Sequence, residues 1–523
     1  MFESVALLIT TYFVILGVLC LYGLHRLFLV ALYHRHEKDV VEPLRRYEDA
    51  DLPTVTVQLP LYNERTVAVR LLDAVARFDY PRDRLEVQVL DDSTDETADL
   101  VAAHVALLRD GGLDIRHIRR GNRTGYKAGA LAAGLQSARG EFIAIFDADF
   151  VPQPGFLRDT IHHFTEPRIG LVQARWAHLN RRYSWLTRMQ AMLLDAHFNV
   201  EHFARNRSGR IFNFNGTAGI WRRRTIDDAG GWQHDTLTED LDLSYRAQLR
   251  GWQFVYLPTL DAPAELPVEM DAFKSQQYRW TKGSVQVARK LLPQIWRAPL
   301  REVPLRVRLE ATIHLTANIT YLLMIVLALL IGPAVYFRAS ISGWNDLLFI
   351  DLPIFFFGTL AVADFFLTGQ RRLGRTIGQC VFELPLCLAV GMGLAVNNSR
   401  AVLSALLRRE SEFVRTPKYN VTDAAGAPEL KVRRYSPNRS WLPYVEVALG
   451  LYFLLAIAVA VSPGVFALPS LPFLLLFSCG FLYCGVASIF PRYRRAARRR
   501  SAAAASATAL QLPPVAVEVP DGA

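Results

Sequence analysis

Val5 to Leu32 is a largely apolar run, longer than the roughly 20 residues that cross a hydrocarbon core. Comparable runs return at Ile313–Phe337, Leu347–Leu367, Leu442–Val461 and Val465–Ile489. Blocks of this kind belong in lipid, where a helix satisfies its own backbone and an open loop does not. The first block lacks a basic leading region and a small-residue cleavage site, so it reads as a retained span. Of 523 residues, 51% are hydrophobic, and their clustering is that of a membrane protein carrying one inserted soluble domain.

The net charge of +10 comes from basic residues at the ends of the apolar runs. Positive-inside bias accounts for that placement, and nucleic-acid binding is excluded as its cause. The flank His34–Lys38 is expected to face the cytosol. Four more flanks contain Arg371, Arg372 and Arg375; Arg408, Arg409, Arg415 and Lys418; Lys431, Arg433 and Arg434; and Arg492, Arg494 and Arg495. All reach the cytosolic side only if the Ile377–Val396 stretch, which holds Glu383, Pro385, Gly391 and Gly393, does not cross. It is expected to be interfacial or re-entrant, leaving five spans and an external N-terminus; a sixth crossing is the alternative. Ser399–Leu407 reads as an amphipathic surface helix, and the Ala-rich tail after Arg500 as disordered. The five cysteines lie in apolar segments without metal-ligand spacing, so they read as reduced structural thiols.

The expected organisation is a span over 1–38, a cytosolic domain over 50–300, membrane and interfacial helices over 301–440, two spans over 441–491, and a basic then disordered tail over 492–523. Within the cytosolic part, strands are expected at Val55–Leu59, Leu85–Leu90, Ile115–Ile118, Phe142–Phe146 and Gly170–Ala174. Helices are expected near Thr66–Arg77, Asp95–Leu108 and Lys127–Ala138. That alternation predicts an α/β domain with a largely parallel sheet, whose ligands gather at the carboxyl ends of the strands.

Those ends carry chemistry. One strand runs into Asp91 and Asp92, another into Asp147-Ala148-Asp149. Two carboxylates one residue apart present hard oxygens in one direction, which suits Mg²⁺ or Mn²⁺ bridging a diphosphate. Tyr62 and Glu64 offer an aromatic face and a carboxylate for a nucleobase and ribose, although Pro60 and Asn63 also fit a plain turn. Lys127 closes a basic, Gly-rich loop suited to phosphate. Asn213–Gly219 reads either as a loop admitting a ligand close to backbone or as a strand with a glycine bulge.

Thr236 with Glu239 has the spacing of a capping box, which starts a short helix beside Thr238 and puts Asp240 in its first turn. The helix dipole would favour the Asp240 anion, a proton acceptor at neutral pH; capping is the other reading of this carboxylate. Gln276, Arg279 and Trp280 fall at i, i+3 and i+4, setting an amide, a guanidinium and an indole on one helical face. Trp offers a pyranose ring a flat apolar surface, and Arg offers phosphate paired donors. Alone, the cluster also fits a buried Trp beside a surface Arg.

The series Asp92, Asp147-Ala148-Asp149, Thr238-Glu239-Asp240 and Gln276-Gln277-Tyr278-Arg279-Trp280 resembles the D, DxD, TED, QxxRW signature of processive family-2 glycosyltransferases. The resemblance is closest to the cellulose-synthase-like A and C branches, which make β-mannan, glucomannan or β-glucan. It implies a GT-A fold inserted between transmembrane helices, and a nucleotide sugar, GDP-mannose or UDP-glucose, bound with a divalent cation. Tyr62, Glu64, Asp92, Lys127, Asp147, Gln276, Arg279, Thr416 and Lys418 would hold that donor, with Asp147 and Asp149 on the metal. Asp240, beside Glu239, would deprotonate the acceptor, Arg279 would hold the departing diphosphate, and Trp280, Phe214, Asn215 and Gly216 would meet the acceptor sugar. Phe413-Val414-Arg415-Thr416-Pro417-Lys418 resembles the FxVTxK gating loop, here within 408–420, with Arg415 where Val is expected. The function implied is an inverting, processive synthase that extends a β-linked polysaccharide and passes it through the cell membrane. A transferase acting on a membrane lipid is one rival, and an export scaffold with a dead site is another.

Overall fold

In the computed structural model, residues 2–340, 347–410, 414–423, 440–462 and 468–510 are described. Phe413, the Lys431–Arg434 flank and the tail beyond Leu510 lie outside them. The chain opens with helix α1 (Phe2–His36). The domain that follows alternates β1 (Val55–Leu61), α2 (Ala68–Ala76), β2 (Leu85–Asp91), α3 (Thr97–Asp110), β3 (Ile115–Ile118), α4 (Tyr126–Ser137) and β4 (Phe142–Ile145). It continues through α5 (Phe156–Ile161), β5 (Ile169–His178), α6 (Trp185–Ala196), a π turn (His197–His202), α7 (Phe203–Arg207), β6 (Gly219–Arg222) and α8 (Arg223–Asp228). It ends with α9 (Glu239–Leu249), β7 (Gln253–Ala264) and α10 (Met270–Arg297).

Seven strands form one sheet in the order β3-β2-β1-β4-β6-β5-β7. β1 pairs in parallel with β2 and β4, and β2 with β3. The expected parallel sheet is thus present, but β6 runs antiparallel to both neighbours. Apolar residues face both sides of the sheet, as a buried parallel sheet requires: Val57, Leu59, Val87 and Val89 pack beneath α2 and α3, whereas Ile143, Ile145 and Trp221 join a core that reaches α1 and the membrane helices. Because β1, β2 and β4 are parallel, their carboxyl ends meet at one edge.

After α10 come α11 (Leu305–Thr316), α12 (Ile319–Ser340), α13 (Leu348–Arg372), α14 (Ile377–Cys380), α15 (Glu383–Gly393), α16 (Ala395–Leu406), α17 (Leu442–Ala460) and α18 (Leu471–Leu510). Six helical stretches among the described residues are long and apolar enough to cross a membrane, which marks a multi-pass membrane protein. The 377–406 stretch is one of them by length and composition, but it is broken into α14, α15 and α16. α18 continues to Leu510. The stretch Ser399–Leu407 is helical nearly throughout, within α16; its Val402 and Ala405 pack on Val285 of α10, while Leu403 and Leu406 stay exposed.

Two buried polar contacts tie the domain to these helices. Lys274 of α10 donates to Glu446 of α17 at 2.5 Å and to Ser488 of α18 at 2.9 Å. Asp195 of α6 accepts from Arg181 at 2.5 Å and from Gln370 of α13 at 2.9 Å, and lies 3.0 Å from His178. Burial opposes the Asp195 anion, but His178, Arg181 and Gln370 outweigh it and hold its pKa well below the carboxylate range. Removing one member of a buried ion pair strands the others, at a cost of about 3–5 kcal/mol. Asp195→Ala is therefore expected to lower the unfolding temperature of the detergent-solubilised protein. A depressed pKa gives stability that is present above the unfolded value and lost in acid, so the gap from wild type should close only below about pH 4.

Candidate active site

One wall of the site is the edge where the carboxyl ends of β1, β2 and β4 meet. Beyond β1, Asn63 takes a left-handed φ of 54°, and its amide and carbonyl groups bond Ser93 and Thr94. The turn reading therefore holds for Asn63, and it aims Tyr62 and Glu64 into the pocket. Beyond β2, Asp92 lines the same pocket with its carboxylate gripped by Arg120. Beyond β4 come Asp147 and Asp149, both lining it.

Lys127, at the start of α4, reaches across to Asp147 at 2.5 Å and to the Gly216 carbonyl at 2.9 Å. Burial opposes its charge, but Asp147, Glu239 and Asp240 outweigh that and raise its pKa. The helix begins this tightly because Gly125 and Tyr126 both adopt positive φ, 74° and 50°.

Gly216, at φ 83°, lies beside Asp240: a Cβ there would come within 3.0 Å of Asp240 Oδ2. A side chain at 216 would press on that carboxylate, so the close approach needs glycine, which fits the ligand-loop reading of Asn213–Gly219, since β6 starts only at Gly219. Asn215 and Gly216 line the pocket. Phe214 does not; it is fully buried and packs edge-on against Trp221 at 5.5 Å. Its aromatic ring serves the core, which corrects the sequence expectation.

α9 starts at Glu239 with Thr238 as its N-cap and no side-chain capping bond. The expected capping box does not form, and the Thr236 hydroxyl is buried without a partner. Thr238 is instead fixed by packing: a Cβ on Gly283 of α10 would come within 2.5 Å of its side chain. Nor does the dipole set the charge state of Asp240. Burial first, then the neighbouring Glu239, push its pKa up to about 7 against the pull of Lys127. Burial likewise raises Glu239.

On α10, Gln276, Arg279 and Trp280 all face the pocket, as the spacing predicted. Arg279 donates to the Thr416 hydroxyl at 3.1 Å. Residues 414–423 form a strap across the site. Lys418 bonds Asp149 at 2.5 Å and the Glu265 carbonyl at 2.8 Å, and the buried Glu265 carboxylate accepts from the amides of Tyr419 and Asn420. Arg415 stands 3.5 Å from Glu64, so the departure from the loop pattern places a cation over that carboxylate. Burial raises Glu64 to about 7 despite Arg415. About 180 Å³ stays free beneath the strap, less than the 300–1,000 Å³ typical of ligand pockets.

Lining residues that sequence reasoning did not single out include Arg123, Tyr126 and Trp176. Arg123 stacks 3.4 Å above the Tyr62 ring, and the basic loop with its tyrosine could have signalled it. Trp176 sits mid-strand with no local pattern to mark it. Among the described residues no three His, Cys, Asp or Glu side chains make a metal cage. Asp147 and Asp149 supply two oxygens of a hard-cation set, and burial with Asp149 raises Asp147 against Lys127, an excess of negative charge that a divalent ion fits.

Residues 53–283 match the family described as glycosyltransferase like family 2. Over 264 residues the chain is 46% identical to glucomannan 4-beta-mannosyltransferase 2 of Arabidopsis thaliana, covering 49% of each protein. Over 250 residues it is 45% identical to glucomannan 4-beta-mannosyltransferase 1 of Oryza sativa subsp. japonica, covering 47% of this chain and 48% of that one. The chain spans about half the length of these curated relatives. The solved mannosyltransferase of Pyrobaculum calidifontis, in complex with GDP-Man and Mn²⁺, is similar in fold, with a TM-score of 0.54 and 21% identity over 77% of this chain and 100% of that one. The segment that carries the pocket, residues 53–283, is a family-2 glycosyltransferase domain with a GT-A-like fold.

Proposed function

We propose that this protein is an inverting hexosyltransferase that extends a β-linked polysaccharide of the mannan or glucomannan class from a nucleotide sugar, GDP-mannose first. The observation that carries the proposal is the gathering of the Asp240 carboxylate, the Arg279 guanidinium and the Trp280 indole in one pocket. The names of the curated relatives support the product class.

The sugar acceptor stacks on Trp280 and sets its hydroxyl against Asp240. Asp240 takes the hydroxyl proton as the oxygen bonds the anomeric carbon and the bond to the diphosphate breaks on the opposite face. A base poised near neutrality is suited to this step, and no enzymic nucleophile is required. Tyr62, Glu64 and Asp92 hold the nucleotide end, while Lys127, Arg279 and Lys418 meet the phosphate charge. When bound, a divalent cation on Asp147 and Asp149 would neutralise the diphosphate. Thr416 and Lys418 lie on a strap that opens to admit the donor and closes over it. The catalytic domain faces the cytosol, and α14–α16 enter the bilayer without crossing, which puts the described basic flanks on one side. Extension is processive, and the chain leaves between the membrane helices.

Purified protein in proteoliposomes, offered GDP-mannose, UDP-glucose or GDP-glucose, is expected to build polymer from one donor that a linkage-specific hydrolase digests; label confined to lipid would replace this reading with lipid glycosylation. kcat/KM should rise with pH through about 7 as Asp240 loses its proton. Asp240→Asn should lower kcat at least about 100-fold, the usual scale for a lost general base. Gly283→Val, which displaces Thr238 and the start of α9, is expected to cost about 100-fold in kcat with GDP affinity retained, because ångström-scale misplacement has that effect. EDTA should abolish transfer and Mg²⁺ or Mn²⁺ restore it; transfer that persists in chelator would remove the metal from the mechanism.

A further inference from the structure

The π turn His197–His202 lies behind the acceptor side of the pocket and plays no part in the chemistry described above. π turns are rare in helices and recur at functional sites. Residues five apart on an α-helix would point about 140° away from each other, yet here the rings of His197 and His202 lie 4.2 Å apart. Both reach the same side chain. His202 Nε2 is 2.6 Å from Asn215 Oδ1 and 3.0 Å from the Asn213 carbonyl. Both of those atoms accept, so Nε2 carries the proton; burial keeps this ring neutral. His197 Nδ1 is 3.0 Å from the Glu201 carboxylate, which puts a proton on Nδ1. Its Nε2 then accepts from Asn215 Nδ2 at 3.1 Å.

Both ends of the Asn215 amide are therefore assigned, and the group cannot flip without setting donor against donor and acceptor against acceptor. An asparagine has two amide protons and two carbonyl lone pairs. With one of each taken by the histidines, one N–H and one lone pair are left, on a residue that lines the pocket next to Gly216. That pair matches two neighbouring hydroxyls of a hexose, one accepting and one donating. Because hexose epimers differ in the direction of one hydroxyl of such a pair, a fixed amide discriminates between them, and a freely flipping one does not.

The turn itself is held from three directions. Glu201 is bound by Arg205 at 2.6 Å and by Arg26 of α1 at 3.0 Å. Arg205 continues to Glu310 of α11 at 2.9 Å, and a Cβ on Gly369 of α13 would strike Ala196 at 2.7 Å. The orientation of one pocket amide thus depends on groups contributed by the membrane helices.

We propose that His197 and His202 are positioning residues that lock the Asn215 amide in one orientation, and that this locked amide reads a vicinal hydroxyl pair on the acceptor sugar. This rests on the transferase reading of the pocket. The test uses the full chain in detergent and compares the binding of β-1,4-mannotetraose and cellotetraose, which differ in the direction of one hydroxyl per ring, with GDP affinity as control. Wild type is expected to bind the two with Kd values at least fivefold apart. His202→Phe and Asn215→Asp should each bring that ratio below about twofold with GDP affinity unchanged, while His202→Gln, whose amide can still donate to Asn215, should retain it. Equal binding of the two oligosaccharides by wild type would overturn the proposal. So would a ratio unmoved in Asn215→Asp, a half-buried isosteric change that needs no repacking if His202→Phe does not fold. Failure of the transferase reading is a separate result: no transfer from any nucleotide sugar by wild type.

Discussion

One buried ammonium joins the parts of this site. Lys127 bonds Asp147 beyond β4 and the carbonyl of Gly216, and it is the cation that offsets Glu239 and Asp240 at the start of α9. Three segments far apart in the chain thus converge on one charge in a setting where unpaired charge is costly. Remove it and four carboxylates, counting Asp149, would share a pocket with their mutual repulsion uncompensated on this side. The left-handed pair Gly125 and Tyr126 is the local strain that sets the ammonium in place.

What the sequence made legible was whatever depends on local pattern. The strand ends could be read because alternating apolar runs stop at acidic residues, and a parallel sheet gathers such ends at one edge. The α10 face could be read because helical spacing alone puts Gln276, Arg279 and Trp280 together. Charge state could not. The dipole argument for Asp240 considered one helix, while burial and Glu239 depend on neighbours that no local window contains. The same limit explains Phe214, whose motif looked like site and whose ring went to Trp221, and Thr236, whose spacing fitted a capping box while the helix start is held by Thr238 packed against Gly283. β6 was hidden because a four-residue antiparallel strand beside a glycine loop carries too little pattern.

The strap shows how one substitution in a motif can be read once its surroundings are known. Arg415 stood out in sequence only as a mismatch. In the fold it faces Glu64, as the stronger of two cations, with Lys418, set against that carboxylate. The two departures from neutral packing belong together, one cation on the strap for one buried carboxylate on the domain.

The Lys274–Glu446 pair has a consequence for how catalysis is aligned with the bilayer. Apolar helices can slide past one another in small steps, trading one contact for a similar one, but a buried ion pair has no neighbouring registers of comparable energy. Trp280 lies about 9 Å further along the same helix. The Trp280 face of α10 is accordingly held in one register against α17 by this pair, with the Asp195–Gln370 and Arg205–Glu310 contacts holding the domain at other points.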